Sequence, residues 1–234
     1  MWFIDSGFII FVLPAMIFAL YAQGKVKSAY ARYSRVAARS RVSGGDVAKD
    51  LLSRAGLSDV PVLQTPGELT DHYDPRRREV KLSTPVFQGN SIAALGIAAH
   101  EVGHALQHAG GYAPLAIRNA VVPMAGFGSR AAFPLFFIGF LFSAGAAEGN
   151  FGVLLMDIGI AVFLFAILFQ IITLPVEFNA SNRAVASLAD GGYLDERELN
   201  GAREVLKAAS LTYVAAMAVA LAHLFRLLML RNRS

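Results

Sequence analysis

The residues with the clearest chemical content are His100, Glu101 and His104, which form the pattern His-Glu-x-x-His. On a helix, residues four apart lie about 40° apart around the axis and one turn apart along it, so both imidazoles can reach one ion. Glu101 lies about 100° round from His100, where a carboxylate can reach a metal-activated water without being a ligand. Two nitrogen ligands and a free carboxylate at this spacing are the parts that metal-assisted hydrolysis needs. The flanking helix, Ser91 to Ala99 before and Ala105 to Leu106 after, is apolar, so both imidazoles are expected to be largely buried and in need of partners.

A catalytic zinc site normally takes three protein ligands and a water. His108 is about 12 Å along the same helix from His100 and cannot share an ion with it. Gly110 occupies the position where a metzincin would carry its third histidine. With no cysteine in the chain, the third ligand must be nitrogen or oxygen from elsewhere. Glu177 fits this role. It follows Pro175 where an apolar run ends, on a continuing helical pattern, and the two spans between it and the motif return it to the same side of a membrane.

The elements that must hold these groups are largely apolar. Trp2 to Ala22, Ala131 to Ala147, Phe151 to Val176 and Ala208 to Leu230 are each of about the length that crosses a bilayer. The second and third are expected to form a hairpin around a Glu148–Asn150 turn. Asn119 to Ser129, interrupted by Pro123, Gly126 and Gly128, is expected to be interfacial or re-entrant. Between the first two spans the chain turns polar. A helix is expected from Asp46 to Gly56, with short strands over Val60 to Gln64 and Glu79 to Ser83 and a turn near Asp71 to Pro75. The strand at Glu79 is expected to be either a sheet edge that could pair with extended substrate or a core strand. His223 and Arg226, inside the last run, are expected to be structural, with long side chains snorkelling to the interface.

The predicted fold class is an α-helical membrane protein of about four transmembrane helices with a small α+β zinc peptidase domain. The expected organisation is an anchor (1–23), a catalytic part (24–130), the hairpin (131–176), a segment carrying the third ligand (177–207) and a fourth span with its tail (208–234). Hydrophobic residues make up 55% of the 234, charged residues 16%, against about a quarter charged in ordinary globular domains. The net charge of +4 gathers after the first apolar run, from Lys25 to Arg41. That placement suits anionic lipid headgroups and argues against a nucleic-acid partner, for which basic residues would alternate with exposed aromatics. By the positive-inside rule this stretch is cytoplasmic. The expected location is a membrane, with the site facing the cytoplasm.

His100 to His104 followed by Glu177, Phe178, Asn179 and Ala180 beyond a membrane hairpin resembles the arrangement in HtpX-type and CAAX-prenyl membrane metallopeptidases. A fuller resemblance, over nearly the whole chain, is to the YugP-like neutral zinc metallopeptidase family of bacterial membranes. It is carried by Leu20 to Gln23, Leu69 to Arg76, Ala99 to Ala105, Gly111 to Leu115, Leu174 to Ser181 and Leu211 to Ala216. The resemblance implies a location in the bacterial cell membrane and a gluzincin-like domain with one catalytic Zn2+ held by His100, His104 and Glu177, with Glu101 as general base. It also places Arg183 where HtpX-type enzymes carry an arginine. Ser181 stands where those enzymes have an aspartate that would orient a zinc-bound histidine; either Ser181 does this more weakly, or an acid such as Asp71 or Asp74 does it. His72, Tyr73, Arg183 and Tyr213 are the candidates for stabilising the oxyanion.

The function expected on these grounds is a zinc metalloendopeptidase acting on membrane-associated or misfolded proteins or peptides, alone or with a membrane-protein partner or a second copy. The competing reading is a non-catalytic membrane scaffold with a structural zinc, which loss of the Glu101 carboxylate and a fourth protein ligand would favour.

Overall fold

The structure, a computed structural model, describes residues 5–144 and 151–232. The expected Glu148–Asn150 turn lies outside the described residues. The helices are α1 (Leu13–Tyr33), α2 (Gly44–Arg54), α3 (Thr84–Gln88), α4 (Ile92–Ala109), α5 (Ala113–Ala144), α6 (Phe151–Asp190) and α7 (Glu196–Arg231). The strands are β1 (Val62–Thr65), β2 (His72–Asp74) and β3 (Glu79–Ser83). The protein is therefore a helical membrane protein carrying a small sheet. Helices within Phe8–Tyr33, Ala113–Ser143, Phe151–Asp190 and Glu196–Arg231 are long and apolar enough to cross a bilayer.

The chain divides into two compact units. One comprises Met1–Ala22, Ile117–Leu174 and Thr212–Ser234, the other Gln23–Ala116 and Pro175–Leu211. In the first unit α5 and α6 pack through glycines. A Cβ at Gly139 would lie 2.6 Å from the Gly152 carbonyl, one at Gly159 2.8 Å from the Phe136 nitrogen, and one at Gly128 2.7 Å from the Val162 carbonyl. Small residues let helix backbones approach where lipid offers no hydrophobic drive to association. Gly128 thus serves packing, and the break expected over Asn119 to Ser129 does not occur. Helix α5 runs unbroken through Pro123 and Pro134. A backbone in lipid has no water to replace its own hydrogen bonds, so one lost bond at a proline does not end the helix.

Arg226 does not snorkel. Its Nε donates to Asp5 Oδ1 at 3.0 Å, and the same oxygen accepts from the Phe8 N–H at 2.8 Å. A short π-helical turn, Phe8–Val12, follows. Arg231 is likewise neutralised, its Nε and Nη2 donating to the two oxygens of Asp157 at 3.0 and 3.1 Å. Paired this way, the two arginines add no net charge to their end of the helix.

The second unit is built around α4. Ser91 caps that helix, its Oγ accepting from the Ala94 N–H at 3.1 Å, and Ser43 caps α2 in the same way. At the start of α7, Asp195 and Glu198 exchange side-chain bonds to one another's N–H, both 2.9 Å, which forms a capping box. Val47, Leu51 and Leu52 of α2, Val80 and Leu82 of β3, Leu95 and Val102 of α4, Leu188 of α6 and Leu206 of α7 form one apolar core.

The strand order is β1-β3-β2, with β1 parallel and β2 antiparallel to β3. The strand at Glu79 is therefore central and buried on both sides, the core strand of the two expected alternatives and not the edge. The β2–β3 turn is set by Asp74, whose Oδ1 accepts from the Arg76 and Arg77 N–H at 2.8 and 3.2 Å, and by Arg78 at φ 54°. That hairpin pairs the Glu79 strand on one side and leaves β1 to take the other.

Candidate metal centre

His100 and His104 stand on α4 and Glu177 on α6, all in the second unit. Close helix packing brings them together. A Cβ at Gly103 would lie 2.6 Å from the Ala180 carbonyl oxygen, so the glycine between the two histidines is where α6 touches α4 backbone to backbone. The Glu177 Oε2 lies 3.3 Å from His100 Nε2 and 3.7 Å from His104 Nε2. The three potential ligand atoms all fall within 4.8 Å of one another. Two ligand atoms on a tetrahedral zinc with bonds of about 2.0–2.1 Å are about 3.3–3.4 Å apart.

The hydrogen bonds behind these groups fix which nitrogen faces the centre. Gln107, fully buried, donates from Nε2 to the Val176 carbonyl at 2.8 Å and to Asn179 Oδ1 at 3.0 Å. Asn179 Oδ1 also accepts from Arg183 Nε at 2.8 Å. A carbonyl only accepts and a guanidinium only donates, so the chain of amides has one polarity. Gln107 Oε1 must then accept from His104 Nδ1, 3.0 Å away. The remaining His104 nitrogen presents a lone pair toward a carboxylate oxygen. His100 Nδ1 faces Ser181 Oγ at 3.2 Å, which leaves its Nε2 turned the same way. Acceptors converging at these distances call for a cation between them. The donor set, two imidazoles and one carboxylate without sulfur, fits zinc.

Glu101 is buried beside the histidines, and that burial pushes its carboxyl up to about 7, with His100 opposing the rise and Glu177 adding to it. A dication at the centre would draw it back down. Strand β2, which begins at His72, packs against α4. His72 Nδ1 faces the Thr70 carbonyl at 2.8 Å.

Other residues singled out from the sequence are engaged elsewhere. Tyr73 is bonded to His108 Nδ1 at 2.8 Å, and Arg183 to Asn179. Asp71 accepts from the Ser83 N–H at 2.7 Å, Asp74 holds its turn, and Tyr213 belongs to the other unit. Of the three groups considered for orienting a histidine, Ser181 is thus the one in contact with His100. Gln107 and Asn179 were missed. The available signal was a glutamine three residues after His104, on the same face of an apolar helix, where an amide must find a partner.

The sequence profile of a family described as "Putative neutral zinc metallopeptidase" matches residues 8–232. The chain belongs to that family, whose description names zinc and peptidase chemistry. It is also similar to a Bacillus subtilis (strain 168) protein named "Putative membrane protease YugP", 46% identical over 223 residues, which cover 95% of this chain and 96% of that one. No solved structure matches the chain.

Proposed function

We propose that the protein is a zinc-dependent membrane endopeptidase whose single catalytic ion is held by His100, His104 and Glu177. The observation that carries this reading is the convergence of two imidazole Nε2 atoms and one carboxylate oxygen beside a buried glutamate. When bound, zinc supplies Lewis acidity, polarising the scissile carbonyl and acidifying a water. Glu101 takes the proton of the attacking water and delivers it to the leaving amine. Gln107 and Ser181 hold the imidazoles with Nε2 toward the centre. His72, on the strand β2 that packs against α4, is the candidate for steadying the developing negative charge on the substrate.

The substrates in this reading are membrane-associated or misfolded proteins and peptides, reached from the cytoplasmic side of a bacterial cell membrane. The test is cleavage of an unfolded protein substrate by purified wild type and Glu101→Gln at equal zinc content. The variant is expected to lose at least about a hundredfold in turnover, the usual scale of general acid–base assistance. Near-wild-type cleavage by the variant would remove Glu101 from the mechanism, and a wild type that holds zinc but cleaves nothing would favour a scaffold with a structural zinc.

A further inference from the structure

A cavity of about 320 Å3 opens between α6 after Glu177 and the first turns of α7. Phe178, Val185 and Leu206 give it an apolar wall, while Arg203 and Lys207 bring two cations to it. Ser181, Asn182 and Ser210 complete the lining with neutral polar groups, so no acid faces the two charges. Arg203 and Lys207 are one helical turn apart and so share a face of α7. The acid between them, Glu204, is turned away, accepting from the Tyr33 hydroxyl at 2.6 Å and pairing with Arg32. Arg203 spends one Nη1 bond on Asn200 at 2.9 Å, and Lys207 makes no ion pair among the described residues.

Two features decide what such a cavity takes. Lys207 is the last charge before the apolar stretch from Ala208, so the cations stand at the level where α7 becomes a membrane helix. Basic pockets between membrane helices at that level suit anionic headgroups. The cavity is also not the catalytic face, because His100 turns Nε2 to Glu177 and Nδ1 to Ser181, which puts Ser181 behind the ring.

We propose that this cavity binds the headgroup phosphate of an anionic phospholipid. Arg203 and Lys207 hold the phosphate, the Ser181 and Ser210 hydroxyls and the Asn182 amide offer donors, and the acyl chains follow the apolar side of α7. The headgroup would then sit one side chain, Ser181, from a candidate metal ligand. Nothing in this proposal requires the peptidase reading to hold.

The test is native mass spectrometry of the full chain in mild detergent with phosphatidylglycerol, phosphatidylcholine or inorganic phosphate added. Wild type is expected to retain one phosphatidylglycerol with at least about tenfold preference over phosphatidylcholine, the scale that two interfacial cations provide. Arg203→Gln/Lys207→Gln should lose that preference. Asn182→Trp, which obstructs the cavity from an exposed position without changing charge, should lose it too. Arg76→Gln/Arg77→Gln, which removes the same charge from the β2–β3 turn, should keep it. Equal retention of the two lipids by wild type, or wild-type preference in both cavity variants, would overturn the proposal. Displacement of the lipid by millimolar inorganic phosphate would mark a site for soluble anions and overturn it as well.

Discussion

Gly103→Ala is a single methyl group that should dismantle the metal centre without touching a ligand. Its Cβ would meet the Ala180 carbonyl oxygen at 2.6 Å and the Ala180 carbonyl carbon and Cα at 3.2 Å, whereas ordinary contact begins at 3.4 Å. All three atoms are backbone, so no side chain can rotate away, and α4 and α6 must separate by about 0.8 Å in a close-packed interior. Glu177 lies three residues before Ala180 on the same helix. A shift of that size would carry its Oε2 from 3.3 Å toward about 4 Å from His100 Nε2, beyond the about 3.4 Å that two ligands on one zinc allow. The expected result is a fall in zinc affinity of about ten- to a hundredfold, the range seen when ligand positioning is lost. A stability loss of about 1–3 kcal/mol from overpacking should accompany it. Gly96→Ala on the same helix is the control, since its Cβ would sit 3.5 Å from Ala202 Cβ, an ordinary contact. That variant should bind zinc normally and gain up to about 1 kcal/mol from helix propensity. Competition titration against a chromophoric chelator, with thermal unfolding of the zinc-free protein, reads both quantities. Wild-type zinc affinity in Gly103→Ala would refute the reasoning that backbone contact at this glycine sets the ligand spacing.

Gln107→Leu should weaken zinc binding by about ten- to a hundredfold by freeing the His104 tautomer, whereas Gln107→Glu, which keeps an acceptor toward Nδ1 but loses the donor to Val176 and Asn179, should weaken it less. The d–d spectrum of the cobalt-substituted protein would report the altered geometry, and equal spectra and affinities for both variants would exclude an orienting role. Topology is open to a simple test because the chain contains no cysteine. Of single cysteines at Ser43, Asn150 and Asn200, only Asn150→Cys should react with an impermeant thiol reagent in intact cells. Labelling of just one of the other two would put the polar segments carrying His100 and Glu177 on opposite sides of the membrane.

The fold was legible wherever one physical constraint dominates. Long apolar runs cross membranes because the backbone must satisfy itself there, and α1, α6 and α7 follow from that. Helix α5 was less readable, since Pro123 and Gly128 carry the same letters whether they break a helix in water or pack one in lipid. The sheet order could not be read from strand patterns. The Glu79 strand is central only because the Asp74 turn folds β2 onto one side of it, and such pairing is a long-range choice. At the metal centre, the His100–His104 spacing is local and so visible, and Glu177 was reachable from its place after a hairpin. Gln107, Asn179 and the Gly103–Ala180 contact depend on two helices meeting, which no single segment encodes. Arg226 was misplaced for the same reason, its partner Asp5 being 221 residues away.

The central claim is that His100, His104 and Glu177 together hold one zinc ion, and metal analysis of purified Glu177→Ala tests it most directly. Glu196→Ala serves as the control, since Glu196 stands in the first turn of α7 outside the ligand group, whereas Glu198 is a helix cap whose loss would disturb folding. The account predicts about one zinc per chain in wild type and in Glu196→Ala, and less than about a tenth of that in Glu177→Ala after dialysis against a mild chelator, because two protein ligands hold zinc poorly. One tightly held zinc per chain in Glu177→Ala would contradict it.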